Sequence, residues 1–341
     1  MNADARRSMK RALPLLALLA VAGLAPAARA ADAGFTLQDK PGECLEVILD
    51  GKIAARYVYA HDTSTPARRL ETYKTYVHVF DAEGKAPITK GAGGDFTHHR
   101  GIFIGWNKIG FNGKTYDRWH MNNGEQVHQK FLDRKAGAEE AVVACLLHWN
   151  DEAGKPIVEE TRTLTFRRAP APARLVVDFA TVLAAPQGDV KLEGDPEHAG
   201  IHYRPANEVV RKETVYVFPK EGANAHKDLD YPWVGETYVL DGKKHSVVEM
   251  NHPGNPKGTK YSAYRDYGRF GAFFTAEIKQ GAVLAVKYRF LVADGEMPGT
   301  EVIQKNWDAF AGVTAPTPVP KAYVVPSEQP KTAAPKAPAA K

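Results

Sequence analysis

Between Asp95 and Phe131 the sequence DFTHHRGIFIGWNKIGFNGKTYDRWHMNNGEQVHQKF gathers four histidines (His98, His99, His120, His128), two arginines, two tryptophans and Glu125. Imidazole has an ordinary pKa of ~6.5, so it gives and takes protons near neutral pH, and it is the commonest metal ligand. Taken singly, each of these histidines reads as an ordinary half-buried residue. Together with Arg100, Trp119 and Glu125 they describe a pocket in which polar groups converge among aromatics, the make-up of a ligand site. His120, Glu125 and His128 lie around the turn signal Asn122-Asn123-Gly124. A carboxylate beside an imidazole raises its pKa and orients it, which suits general acid–base catalysis, worth ~10²–10⁴-fold in rate. His98, His99, Glu125 and His128 are therefore the candidate catalytic residues, and Arg100, Trp119 and His120 candidates for holding substrate.

A second group comes from HAGIHYRPAN, where alternation puts Gly200, His202 and Arg204 on one side of a strand. The loop Asn251-His252-Pro253-Gly254-Asn255-Pro256 is stiffened by two prolines and offers Asn251, His252 and Asn255 as hydrogen-bonding groups. Asp266 adds an acid, with a structural pairing to Arg265 or Arg269 as its other use. Trp106, in IFIGW, reads as core. The adjacent His98 and His99 point to opposite faces if extended and converge if Gly101 marks a turn. The chain has no HExxH, no calcium loop and no C-x-x-C. No metal or other cofactor is assigned, and a His-rich metal-dependent enzyme stands as an alternative.

The elements that must position these groups are strands. Cys44–Leu49, Asp50-Gly51 and Lys52–Tyr59 read as a hairpin, because Asp-Gly supplies the two positive-φ residues of a type I′ turn. Trp233–Leu240, Asp241-Gly242 and Lys243–Glu249 repeat the device. Leu175, Val177, Phe179, Thr181 and Leu183 alternate with the residues between them. Leu284, Val286, Tyr288 and Phe290 do the same. Period two marks half-buried antiparallel strands, and helical periodicity is weak outside the N-terminus. The expected fold is all-β: a large antiparallel β-sandwich with little helix.

The ends differ from the body. Residues 1–30 have the anatomy of a secretory signal peptide: basic Arg6, Arg7, Lys10 and Arg11, an apolar run from Leu13 to Leu24, and Ala28-Arg29-Ala30 as cleavage site. The apolar run is too short to span a bilayer. The expectation is an exported protein, periplasmic or secreted. Residues 312–341 are rich in Pro, Ala and Lys and read as a disordered tail. Residues 31–311 then form a single domain. The whole chain carries 45 Lys+Arg against 40 Asp+Glu. Removing the five bases and one acid of residues 1–30 leaves 40 against 39. The basic excess thus belongs to the ends, and nucleic acid is set aside as a partner. Cys44 and Cys145 sit in strand-like stretches, as a disulfide or as two buried thiols.

His98-His99-Arg100-Gly101, Glu125-Gln-Val-His128, Asn251-His-Pro-Gly-Asn-Pro256, Asp266-Tyr-Gly-Arg-Phe-Gly271 and Tyr288-Arg-Phe-Leu-Val-Ala-Asp-Gly295, in this order, resemble the PmoA-like family of exported bacterial proteins. Thr97 departs from the His-Pro that leads into the histidine pair there. The resemblance implies a β-sandwich similar to galactose mutarotase and a carbohydrate-active role. Literal methane oxygenase chemistry does not fit a mature chain without a membrane span. The expected function is acid–base chemistry of epimerase, lyase or hydrolase type on a sugar or sugar derivative. A carbohydrate-binding protein without turnover is the alternative from another class.

Overall fold

A computed structural model describes residues 33–315 and 317–328. The expected signal peptide and the last thirteen positions, 329–341, lie outside the described residues. Two antiparallel sheets face each other. One runs, in spatial order, Phe35–Lys40, Cys44–Leu49, Lys52–Val58, Tyr76–Val79, Ile102–Trp106, Ala199–Tyr203. The other has nine strands: Tyr323–Pro326, Val215–Phe218, Trp233–Leu240, Lys243–Asn251, Val283–Asp294, Ala173–Ala184, Pro156–Arg168, Glu140–Asn150, Glu125–Ala136. The all-β sandwich expected from the alternation is the fold. Both Asp-Gly hairpins form as read: Asp50 and Gly51 have φ of 52° and 77°, Asp241 and Gly242 of 50° and 70°.

The core lies between the sheets. Leu175, Val177, Phe179 and Leu183 are fully buried there against Ile102, Ile104, Trp106 and Tyr203 of the smaller sheet. The rings of Trp106 and Trp149 meet across the gap at 6.1 Å. Each such side chain contributes about 1.5–3 kcal/mol by leaving water. The helix Thr300–Ala311 covers the outer face of the larger sheet, where Ile303 is buried with Trp233, Val248, Met250 and Leu291. Among the described residues no helix is long and apolar enough to cross a membrane. Cys44 and Cys145 are buried free thiols.

The boundary expected at Ala311 differs from the observed one. Thr317 bonds Asp308 at 2.5 Å, and Tyr323–Pro326 pairs with Val215–Phe218 as an edge strand. The cause is local. Tyr323-Val-Val is a β-prone run inside the Pro-rich stretch, and Pro326 closes it at a sheet edge, where a missing N–H is tolerated.

Candidate functional site

The smaller sheet has a second face, turned away from the core. Alternation along Ile102–Trp106 sends Phe103 outward, and its cross-strand partner His202 goes with it, their rings 4.3 Å apart. Trp119 lies over both, at 5.0 and 4.7 Å. Three loops converge here: residues 91–100, 117–124 and 262–271. Gly101 lets the first approach, since a Cβ there would stand 2.1 Å from the Val77 carbonyl oxygen.

The run before Gly101 is a turn, closed by the His99 amide donating to the Phe96 carbonyl at 2.8 Å. His98 and His99 therefore do converge, with ring centroids 4.3 Å apart. A line of imidazoles results. His98 meets His120 at 4.4 Å, His120 meets His198 at 5.3 Å, and His99 meets His202 at 5.5 Å. The two at its more exposed end are held by carboxylates. His120 Nδ1 donates to Asp117 Oδ2 at 2.8 Å, and His198 Nδ1 to Asp195 Oδ1 at 2.9 Å. Both rings are part-exposed and keep Nε2 free of these bonds. An aspartate bonded to Nδ1 in this way fixes the ring's tautomer and orientation. Burial opposes ionisation of Asp117, yet the bonds from His120 and from the Trp119 amide outweigh it and hold the carboxyl below its usual range. Asp195 is likewise lowered, burial being outweighed by His198.

Burial, and then the neighbouring His120, pushes His98 down to about 2. His99 is driven well below its ordinary value by burial, then by His202 and Arg269. Both are neutral rings at physiological pH: hydrogen-bonding groups rather than cationic acids.

Strain brackets the group. Phe96, two residues before His98, and Met121, immediately after His120, take φ of 51° and 62°. Bulky side chains seldom adopt this left-handed region, and such outliers collect at functional sites. Phe96 is 42% exposed, its ring 5.3 Å from His99 and 4.7 Å from Tyr267.

Other expected site residues take different places. His128 points into the sandwich, its Nδ1 3.2 Å from the Tyr57 hydroxyl and its ring among Tyr59 and Phe131. Glu125 bonds His61 and Arg69, each at 2.6 Å, beside a separate hollow of ≈ 500 Å³ lined also by Asn122, Asn123 and Asn150. The Glu125–His128 spacing suggested partners, but both residues lie in one strand, where an odd separation sends side chains to opposite faces. Trp119 is fully buried under the loops, so its faces are covered by protein. Arg100 donates to the carbonyls of Leu70 and His99, and Arg204 to those of Pro205 and Tyr267. Asn251 and Asn255 bond each other at 2.7 Å, Asn255 also clasps Lys287, and His252 packs on Phe310 of the helix. That loop anchors the far side of the larger sheet. Asp266 is buried in the turn that carries Tyr267.

Sequence reasoning missed Asp117, Asp195, His198 and Phe96. Asp117-x-x-His120 and Asp195-x-x-His198 share one spacing, a signal that was available. Among the described residues no three His, Cys, Asp or Glu side chains are grouped to hold a metal ion.

Solved structures similar to this chain include a heparan sulfate lyase, HepC, of Pedobacter heparinus, 10% identical, TM-score 0.36, over 79% of this chain and 36% of that one. A galactose 1-epimerase of Lactobacillus acidophilus NCFM is 8% identical, TM-score 0.35, over 77% and 98%. A galactose mutarotase-like protein of Lactobacillus casei ATCC 334 is 9% identical, TM-score 0.35, over 76% and 100%. The chain spans about a third of the lyase's length. A search of the curated proteins found no match. The resemblance to the PmoA-like family is corrected by the family comparison, which gives a different family over residues 44–308 and no PmoA match. On that match, which takes in most of the chain, the protein belongs to DUF6807, a family of unknown function.

Proposed function

We propose that this is an exported carbohydrate-active protein that carries out acid–base chemistry on a sugar or sugar derivative at the histidine face. One observation carries the reading: His120 and His198, each oriented through Nδ1 by its own aspartate, face each other with ring centroids 5.3 Å apart. Two oriented imidazoles allow one Nε2 to take a proton from substrate while the other gives one back, the step shared by epimerisation and elimination. The carboxylates hold each ring in the tautomer and orientation this exchange needs. His98, kept neutral by burial and packed against His120 at 4.4 Å, offers the substrate a further hydrogen-bonding group. The part-exposed rings of Phe96 and Tyr267 offer a rim on which the C–H face of a sugar can pack.

The test is turnover on a panel of mono- and oligosaccharides. His120→Ala and His198→Ala should each lower kcat by ~10²-fold or more with circular dichroism unchanged. His226→Ala, at an exposed ring outside the site, serves as control. Near-full turnover in both site variants would sink the catalytic reading. If the panel is bound but never converted, and Phe96→Ala alone weakens binding, the protein is a carbohydrate-binding module.

A further inference from the structure

The histidine face is backed by guanidinium groups that no carboxylate of the described residues hydrogen-bonds. Arg100, Arg204 and Arg269 are each at most 1% exposed. Their hydrogen bonds go to carbonyls, to the Asn207 amide oxygen and to the Ser262 hydroxyl, and none to a carboxylate. Such bonds satisfy donors without neutralising charge. The antiparallel bridge Tyr203–Phe270 sets Arg204 opposite Arg269, a like-charge juxtaposition that is unfavourable on its own. Arg269 also keeps Nε and Nη2 buried without a partner.

Three of the nearby acids are otherwise engaged. Asp117 and Asp195 hold their histidines, and Glu197 holds Arg265 at 2.5 Å and the Tyr264 hydroxyl at 2.8 Å. Glu236, buried near both Arg204 and Arg269, has no hydrogen-bond partner for either oxygen; burial pushes its carboxyl up, and the two guanidiniums oppose that shift. Lys90 reports the resulting field: burial, then Arg100 and Arg204, push its ammonium down to about 7.

We infer that the substrate is an acidic sugar, its carboxylate or sulfate ester drawn to the histidine face by Arg100, Arg204, Arg269 and Lys90. This rests on the acid–base reading of that face and adds the charge of what it takes. A fixed cationic cluster in a low-dielectric surround raises the local concentration of anions and weakens with salt.

The experiment is calorimetric titration of the whole protein with glucuronate, galacturonate, glucose 6-sulfate, glucose and galactose, in low and in about 0.3 M salt. The expected result is at least ten-fold tighter binding of a uronate or of the sulfate ester than of the neutral sugars, narrowing several-fold at high salt. Whichever acid binds better separates carboxylate from sulfate. Arg269→Gln should remove most of the preference. If that variant does not fold, Lys90→Gln and the salt series carry the decision. Equal affinity for neutral and acidic sugars, a preference that ignores both salt and the substitutions, or no binding of any probe overturns the inference. An acidic sugar that binds and is never converted removes the catalytic reading instead, and a neutral sugar converted while acids are ignored removes only this one.

Discussion

Two of the places where this protein buries guanidinium groups do it in opposite ways. In the sandwich core Arg162 and Glu160, both at 0% side-chain exposure, close on each other. Glu160 accepts from Arg162 Nε and Nη2, from Trp149 Nε1 and from the Thr181 hydroxyl, at 2.7–2.9 Å, while Arg162 Nη1 reaches the Thr75 hydroxyl at 2.8 Å. On the outer face of the smaller sheet, Arg100, Arg204 and Arg269 find carbonyls, an amide oxygen and a hydroxyl, but no acid. A closed ion pair has used its charge internally. An uncompensated cation keeps its field for something that arrives.

The largest expected effect breaks the closed pair. Glu160→Gln strands a buried guanidinium and should cost about 3–5 kcal/mol in urea denaturation, the usual loss when one partner of a buried pair is removed. Arg269→Gln removes a charge that has no partner, and its stability should stay within about 1 kcal/mol of the parent, because a desolvation cost disappears along with the Ser262 bond. Equal losses in the two variants would erase the distinction between the regions.

A smaller effect decides to which region His128 belongs. Burial, then Arg162, hold its imidazole at about 4. A histidine depressed in the fold binds fewer protons there than in the unfolded chain. Its stabilisation is therefore complete above the unfolded value of ~6.5 and is lost as pH falls through the window down to about 4. At ~1.36 kcal/mol per unit, discounted because the ring is part-exposed, the loss is about 1–2 kcal/mol. His78, also held at about 4 by burial, adds to the same window. His128→Gln should flatten the acid limb of stability against pH and leave turnover within a few-fold. A loss of turnover matching that of His120→Ala would return His128 to the catalytic group.

How much of this was legible follows the range of the interactions. The hairpins at Asp50-Gly51 and Asp241-Gly242 and the alternating strands are local signals, and the fold came with them. The histidine pair and His120 were visible as types. What gathers them is not local: His202 joins His99 through strand pairing, and His198 reaches His120 from 78 positions away. His128 and Glu125 looked like partners by proximity in sequence, yet the strand separates them. The Asp-x-x-His repeat was readable, but only the fold sets the two copies facing each other. The left-handed φ of Phe96 and Met121 carries no glycine or asparagine to announce it.

That strain supplies the smallest prediction. Phe96 holds a φ of 51° that glycine would take freely, so Phe96→Gly recovers about 1–2 kcal/mol of backbone strain. Against this it loses ring contacts with His99 and Tyr267, worth about 0.5–1.5 kcal/mol. Glycine also adds about 0.5–1 kcal/mol of unfolded-state freedom. The terms cancel to within about 1 kcal/mol, so stability should hardly change. On the proposed function affinity should not be spared, because the half-exposed ring then has its use in packing on the substrate. KM should rise several-fold with kcat nearly unchanged, since the ring holds substrate and moves no proton. A fall in kcat with KM unchanged would mean that Phe96 serves the histidines by fixing the turn at residues 96–99. Adding φ-tolerant Phe96→Asn separates the two, because it keeps the left-handed turn while lacking the ring: it should match the glycine variant in KM if the ring is the platform, and match the parent if the turn alone matters.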